Sequence, residues 1–196
     1  MARARSEKQT DLFGTKDAMP AGFRYRADVV SEGEAAHLVD IFATLPFKPF
    51  EFHGYLGNRR TASFGWSYDY SGRALRKADP LPQFLLPLRV KAEEFAGLPL
   101  ASLEQSTVIE YAPGAGIGWH RDKPDFGDVL AFSFLAPCNL RFRRKREDDK
   151  WDRASMTAEP RSLYLMRGEA RTDWYHSIPP LKELRYSVTF RNLRSC

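Results

Sequence analysis

The sequence predicts an α+β fold that is mainly β, a double-sheet roll with supporting helices on one side. Two observations carry that expectation. Helical periodicity is confined to two early segments, and most of the remainder reads as short strands broken by Gly and Pro. At 196 residues, with 43% hydrophobic and 13% aromatic content, the chain is long enough for one substantial core.

Taken in order, residues 1–20 are polar and without a clear period, and are expected to form a mobile arm ahead of a single domain over 21–196. Ser31 followed by Glu34 makes a capping box, and Leu38, Ile41, Phe42 and Leu45 then recur at helical spacing up to Pro46. Strands are expected at 48–56 and 60–70. A second helix follows over 83–96, with Phe84, Leu85, Leu88, Ala92 and Phe95 on one side and Pro87 either in its first turns or kinking it. Further strands are expected at 105–112, 128–135, 139–145, 162–167 and 184–191. The last alternates strictly, so that Arg185, Ser187, Thr189 and Arg191 share one face and Tyr186, Val188 and Phe190 the other.

Composition excludes some classes of function. No stretch reaches the length of a bilayer span and the N-terminus lacks an apolar signal region, so a cytoplasmic protein with no membrane association is expected. Cys138 and Cys196 have neither zinc-ligand spacing nor the density of a disulfide scaffold. A net charge of +5 permits attraction to phosphate without requiring it.

The chemistry centres on His120 and Asp122, in the run Gly116-Ile117-Gly118-Trp119-His120-Arg121-Asp122. An imidazole and a carboxylate two residues apart share one face of a strand and can share a metal. A His-x-Asp pair alone arises by chance about one time in four in a chain of this composition. This pair, however, follows a Gly/Pro-rich turn that can aim side chains into a cavity, and one histidine lies downstream, His176. Two imidazoles and one carboxylate leave open positions on an octahedral ion, the arrangement of non-haem Fe(II) oxygenases. Zinc hydrolysis competes, but His-Glu-x-x-His is absent. His37 and His53 have no such company.

Arg185 and Arg191 on one face of a strand are costly unless carboxylates neutralise them; an anionic ligand or a solvated edge would each serve. Arg141, Arg143, Arg144, Lys145 and Arg146 form a basic segment beside the acidic turn Glu147-Asp148-Asp149. It reads equally as a solvated hairpin and as a track for phosphates. Trp66, Tyr68 and Tyr70 alternate along a strand, where aromatic residues are more often core than clamp.

Tyr111-Ala112-Pro113-Gly114, His120-Arg121-Asp122, His176 and Arg185-Tyr186-Ser187-Val188-Thr189-Phe190-Arg191 together resemble the AlkB family of Fe(II)- and 2-oxoglutarate-dependent dioxygenases over roughly residues 105–193. Arg60 and the run Phe64-Gly65-Trp66-Ser67-Tyr68-Asp69-Tyr70 resemble that family's nucleotide-recognition lid, placed here at about 47–72. The resemblance implies a double-stranded β-helix (jelly-roll) core with iron on His120, Asp122 and His176. It also implies 2-oxoglutarate held by Arg185 through its distal carboxylate, with Tyr111 and Ser187 beside it, and chelating the metal near Arg191. Dioxygen is the remaining co-substrate, and the oxidant is metal-bound, with no protein nucleophile. The implied substrate is an alkylated nucleic-acid base, in DNA first and RNA second, flipped out and gripped by Trp66, Tyr68 and Tyr70 with Arg59 and Arg60 on phosphate, by a monomer. A hydroxylase of a protein side chain or small molecule is the alternative on the same fold. The sequence departs from the family at Ile109 and Ser187, where Asn is common, and at Pro124, where an acidic residue stands in well-known bacterial members.

Overall fold

The computed structural model describes residues 18–52, 55–69, 72 and 74–194. The arm expected at 1–20 lies outside the described residues as far as residue 17, and so do His53, Tyr70 and Cys196. Thirteen strands and three α-helices are described: β1 (Phe23–Arg26), α1 (Glu32–Ala43), β2 (Lys48–Phe52), β3 (Tyr55–Phe64), β4 (Trp66–Asp69), β5 (Ala74–Lys77), α2 (Leu86–Ala96), β6 (Gln105–Tyr111), β7 (Ile117–His120), β8 (Phe126–Leu135), β9 (Cys138–Lys145), β10 (Trp151–Ala158), β11 (Leu163–Met166), α3 (Glu169–Thr172), β12 (Tyr175–Ile178) and β13 (Arg185–Leu193).

Local chemistry explains the early boundaries. The Ser31 hydroxyl accepts from the Glu34 amide at 3.2 Å, capping α1 as the sequence predicts. Pro87 falls in the first turn of α2, where its missing N–H leaves no carbonyl unpaired, and a 3-10 turn at Gln83–Leu85 leads into it. The strand expected at 60–70 is two strands. Gly65, at φ +73°, separates β3 from β4, and a Cβ there would meet the Glu104 carbonyl at 1.9 Å.

A seven-stranded sheet has the order β1-β11-β8-β13-β6-β3-β2 and faces a four-stranded sheet of order β10-β9-β12-β7. Every strand pairing is antiparallel. From β6 onward the chain passes repeatedly from the large sheet to the small one and back, winding a double-stranded β-helix. Strand alternation divides the large sheet's residues between two cores. Val108, Leu130, Phe132, Phe134, Val188 and Phe190 pack outward against Phe42, Leu85 and Leu88 of the helical layer. Tyr111, Val129, Ala131 and Tyr164 face inward to Leu140, Phe142 and Ile178 of the small sheet. Each fully buried aliphatic or phenyl side chain contributes about 1.5–3 kcal/mol. Both sheets are thus anchored, and the space between them is available to polar groups where the apolar packing stops.

Candidate metal centre and anion pocket

His120 and His176 stand directly opposite each other on β7 and β12, so both imidazoles project from the inner face of the small sheet, their centroids 4.1 Å apart. The pairing slips between His120 and Ile117, a bulge at Gly118-Trp119. That extra residue lets Ile117 join the inter-sheet core and His120 the site, although they are three apart, and turns Trp119 outward. Asp122 continues the inward alternation, with Oδ1 3.7 Å from His120 Nε2. The donor atoms of the three residues lie within 4.8 Å of one another, and among the described residues this is the one His/Cys/Asp/Glu cluster able to hold a metal.

The large sheet fixes the carboxylate. Arg191 donates from Nε to Asp122 Oδ2 at 3.1 Å and from Nη1 to Gln105 Oε1 at 2.8 Å. Burial pushes the Asp122 carboxyl up, but the Arg191 guanidinium and the neighbouring imidazoles together outweigh it and hold it well below the usual carboxylate range. Burial, followed by the neighbouring His120, pushes His176 down to about 3. His120 is lowered too, by burial first, against the opposing pull of Asp122. At neutral pH the set is two neutral imidazoles and a carboxylate, the protonation that metal ligation requires. His120 Nδ1 lies 2.9 Å from the Gly118 carbonyl; donation there leaves Nε2 for a metal.

Across the chamber Arg185 is fully buried. Its Nε donates to Ser133 Oγ at 3.0 Å, while Nη1 and Nη2 are buried without a hydrogen-bond partner. A buried guanidinium with two orphaned nitrogens is a strong demand for an anion, and its planar fork suits a carboxylate. Tyr111, the cross-strand partner of Arg185, places its ring 5.2 Å from the guanidinium. Burial raises the Tyr111 hydroxyl's pKa, opposed by Arg185. The residues therefore fit both groups: His120, Asp122 and His176 an octahedral metal, and Arg185 the far carboxylate of a short dicarboxylate. Ser187 is buried on the same face, its hydroxyl donating to the Phe132 carbonyl at 3.0 Å.

The expected substrate residues separate. Arg59 pairs with Tyr111 and so faces the chamber, where its charge helps to lower His120. Arg60 does not share that face. Adjacent strand residues point oppositely, and Arg60 lies toward the helices in a bidentate pair with Glu110 at 2.7 and 2.9 Å. Tyr68 comes to the metal loop, with Lys123 Nζ 4.7 Å from its ring centroid. Trp66 lines a surface hollow of about 390 Å³ with Lys77, Leu81 and Arg89. Arg191, expected near the chelating end of the co-substrate, is committed to Asp122 and Gln105.

Arg171 has no counterpart in the sequence reading. This buried side chain of α3 donates to the carbonyls of Lys123, Phe126 and Gly127, at 2.5, 3.0 and 3.1 Å, and so clamps the loop after Asp122. Ser133 and Gln105, which orient the two site arginines, were also missed. All three act through contacts between residues at least 44 positions apart, and no short motif signals them.

Comparison with known proteins agrees with this geometry. The profile of the 2OG-Fe(II) oxygenase superfamily matches residues 35–191. The "Alkylated DNA repair protein ALKBH8 homolog" of Arabidopsis thaliana is 30% identical over 147 residues, covering 63% of this chain and 42% of that protein. The chain thus spans less than half the length of that relative. The "Alpha-ketoglutarate-dependent dioxygenase AlkB" of Salmonella typhimurium is 31% identical over 148 residues, covering 66% of this chain and 67% of that protein. The solved structure of OsALKBH1 superposes with a TM-score of 0.65 at 16% identity over 89% of this chain and 98% of that one, which shows a shared fold. The chain belongs to the 2OG-Fe(II) oxygenase superfamily, within which it is an AlkB-type dioxygenase.

Proposed function

We propose that this protein oxidatively removes alkyl groups from nucleic-acid bases, in DNA as a repair activity and secondarily in RNA. One observation carries the reading. The His120–Asp122–His176 cluster is carried by the small sheet and the loop after β7, the anion-demanding Arg185 by the large sheet, and Tyr68 of the aromatic hairpin β4–β5 meets the loop that follows Asp122. The names of the relatives, an alkylated-DNA repair homologue and AlkB, point the same way.

His120, Asp122 and His176 would hold iron, which with 2-oxoglutarate and dioxygen would supply a two-electron oxidation of an N-alkyl carbon, the carbon then leaving as an aldehyde. The chain's own residues bind and orient. Arg185 and Tyr111 receive the distal carboxylate, which directs the keto acid's other end toward the triad. Arg191 fixes the direction of Asp122, and Arg171 holds the loop between that ligand and the base. Tyr68 offers a face on which a flipped base stacks. No side chain acts as a nucleophile.

The test is incubation of iron-loaded protein and 2-oxoglutarate with single-stranded DNA and RNA carrying N1-methyladenine, N3-methylcytosine or ethenoadenine, read by mass spectrometry. Restored bases are the expected result. Vigorous succinate formation with a peptide or metabolite and none of the lesions repaired would replace this reading with side-chain or small-molecule hydroxylation.

A further inference from the structure

The strands that turn His120 and His176 inward turn a different set of side chains outward. On the outer face of the small sheet, Arg153, Arg143 and Tyr175 form one cross-strand row of β10, β9 and β12, and Ser155, Arg141 and Ser177 form the next. Like charges directly opposite each other, as in the Arg143–Arg153 pair, destabilise a sheet. Neither arginine is relieved by a carboxylate: among the described residues no ion pair joins Arg121, Arg141, Arg143 or Arg153 to an acid.

Aromatic rings are interleaved instead. The Arg143 guanidinium lies 4.5 Å from the ring centroids of both Trp119 and Trp151, and Arg141 lies 5.1 Å from Trp119. Arg121, between the two metal ligands in sequence, points outward, 4.7 Å from Tyr175. The rest of the basic segment behaves differently. Lys145 pairs with Asp149, Arg146 with Asp148, and Arg144 with Asp152 and Glu169, so the hairpin beyond the rows is neutralised by its own acids. The unneutralised charge is therefore concentrated on the aromatic face. β7 is the edge of this sheet, so a polymer leaving the site beside Lys123 meets Arg121 and Trp119 on rounding that edge.

We propose that this outer face docks single-stranded nucleic acid flanking the reacting base, with phosphates on Arg121, Arg141, Arg143 and Arg153 and bases against Trp119, Trp151 and Tyr175. The proposal rests on the nucleic-acid reading of the site. Cations that track a backbone beside rings that stack bases are what sequence-tolerant single-strand binding requires. Arg121 couples the two regions, since its backbone joins the two ligands while its guanidinium lies on the docking face.

The test is fluorescence anisotropy of the full-length chain with an unmodified, labelled single strand of about 12 nucleotides, within the roughly 4–16 usual for such a platform, across a salt series. Arg153→Glu should weaken binding about 10-fold and reduce the slope of log K against log salt by about 0.7. Because the new carboxylate faces Arg143, the fold should be at least as stable, so a melting curve separates lost binding from unfolding. Trp151→Ala should also weaken binding, and Arg153→Lys should retain it. Wild-type affinity in both Arg153→Glu and Trp151→Ala, or no binding by the wild type, overturns the proposal. Displacement of the strand by polyglutamate as effective as by unlabelled strand overturns it in favour of an acidic polypeptide. Dealkylation without face-dependent binding removes this proposal alone; face-dependent binding without dealkylation removes the catalytic reading alone.

Discussion

Arg191 on the large sheet and Asp122 on the loop after β7 are joined by a 3.1 Å hydrogen bond, so the carboxylate of the candidate metal set is positioned from the opposite sheet to the two imidazoles. Asp122→Ala should therefore do more than delete a ligand, because it leaves the partly buried Arg191 charge without its carboxylate beside two histidines. We expect iron-dependent turnover to fall below detection and Fe(II) affinity, measured by calorimetry under argon, to drop by at least 100-fold. Far-ultraviolet circular dichroism should be unchanged. Retained turnover would exclude Asp122 as a ligand.

Arg185 carries two buried nitrogens with no hydrogen-bond partner among the described residues. Breaking a buried ion pair on one side costs about 3–5 kcal/mol, so Arg185→Met should raise the dissociation constant for 2-oxoglutarate by two orders of magnitude or more. The same substitution removes an uncompensated charge from the ligand-free protein, whose melting temperature should hold or rise. Differential scanning fluorimetry with and without 2-oxoglutarate reads both effects. Stabilisation of the variant by 2-oxoglutarate as large as that of the wild type would sink the assignment.

His176 has its folded pKa lowered to about 3 from an ordinary 6.5. Below pH 6.5 the unfolded chain takes up a proton that the folded chain refuses until about pH 3. Stability from this group is thus complete above 6.5 and is lost progressively as the pH falls between these values. Metal-free wild type should melt at steadily lower temperature from pH 7 to 4, and His176→Gln should flatten that decline. Parallel curves for the two proteins would show that His176 is not the titrating group.

Arg171 spans the carbonyls of Lys123, Phe126 and Gly127. Hydrogen bonds from a charged donor are worth about 1.5–3 kcal/mol each in net terms, although the three share one side chain. Arg171→Met should lower stability by about 2–4 kcal/mol in urea melts and should raise amide exchange over residues 123–127 more than elsewhere. Uniform exchange changes across the fold would mean a general packing role.

How much of this was legible in the sequence follows from the range of each interaction. The α1 cap, the placement of Pro87 and the alternation of β13 are local, and the structure has each of them. β1, β5, β10 and β12 were not anticipated, being short or polar and stabilised by pairing with distant partners. The split of 60–70 at Gly65 depends on the approach of Glu104, 39 positions away. Among site residues, the residues of the triad could be named because histidine is scarce in this chain. Arg59 and Arg60 could not be separated before the register of β3 on β6 was known, since that register sends one inward and the other to Glu110. The basic segment divided for the same reason, with Arg141 and Arg143 facing outward and Arg144 turned to Asp152 and Glu169.

The direct pairing of His120 with His176 also bears on how the chain reaches its native form. The two strands are separated in sequence by more than fifty residues in a chain whose contacts are mostly long-range, a topology prone to slow folding and slipped alignments. A slip of one residue turns one imidazole to solvent. A metal bound by both histidines would stabilise only the alignment that sets them opposite each other.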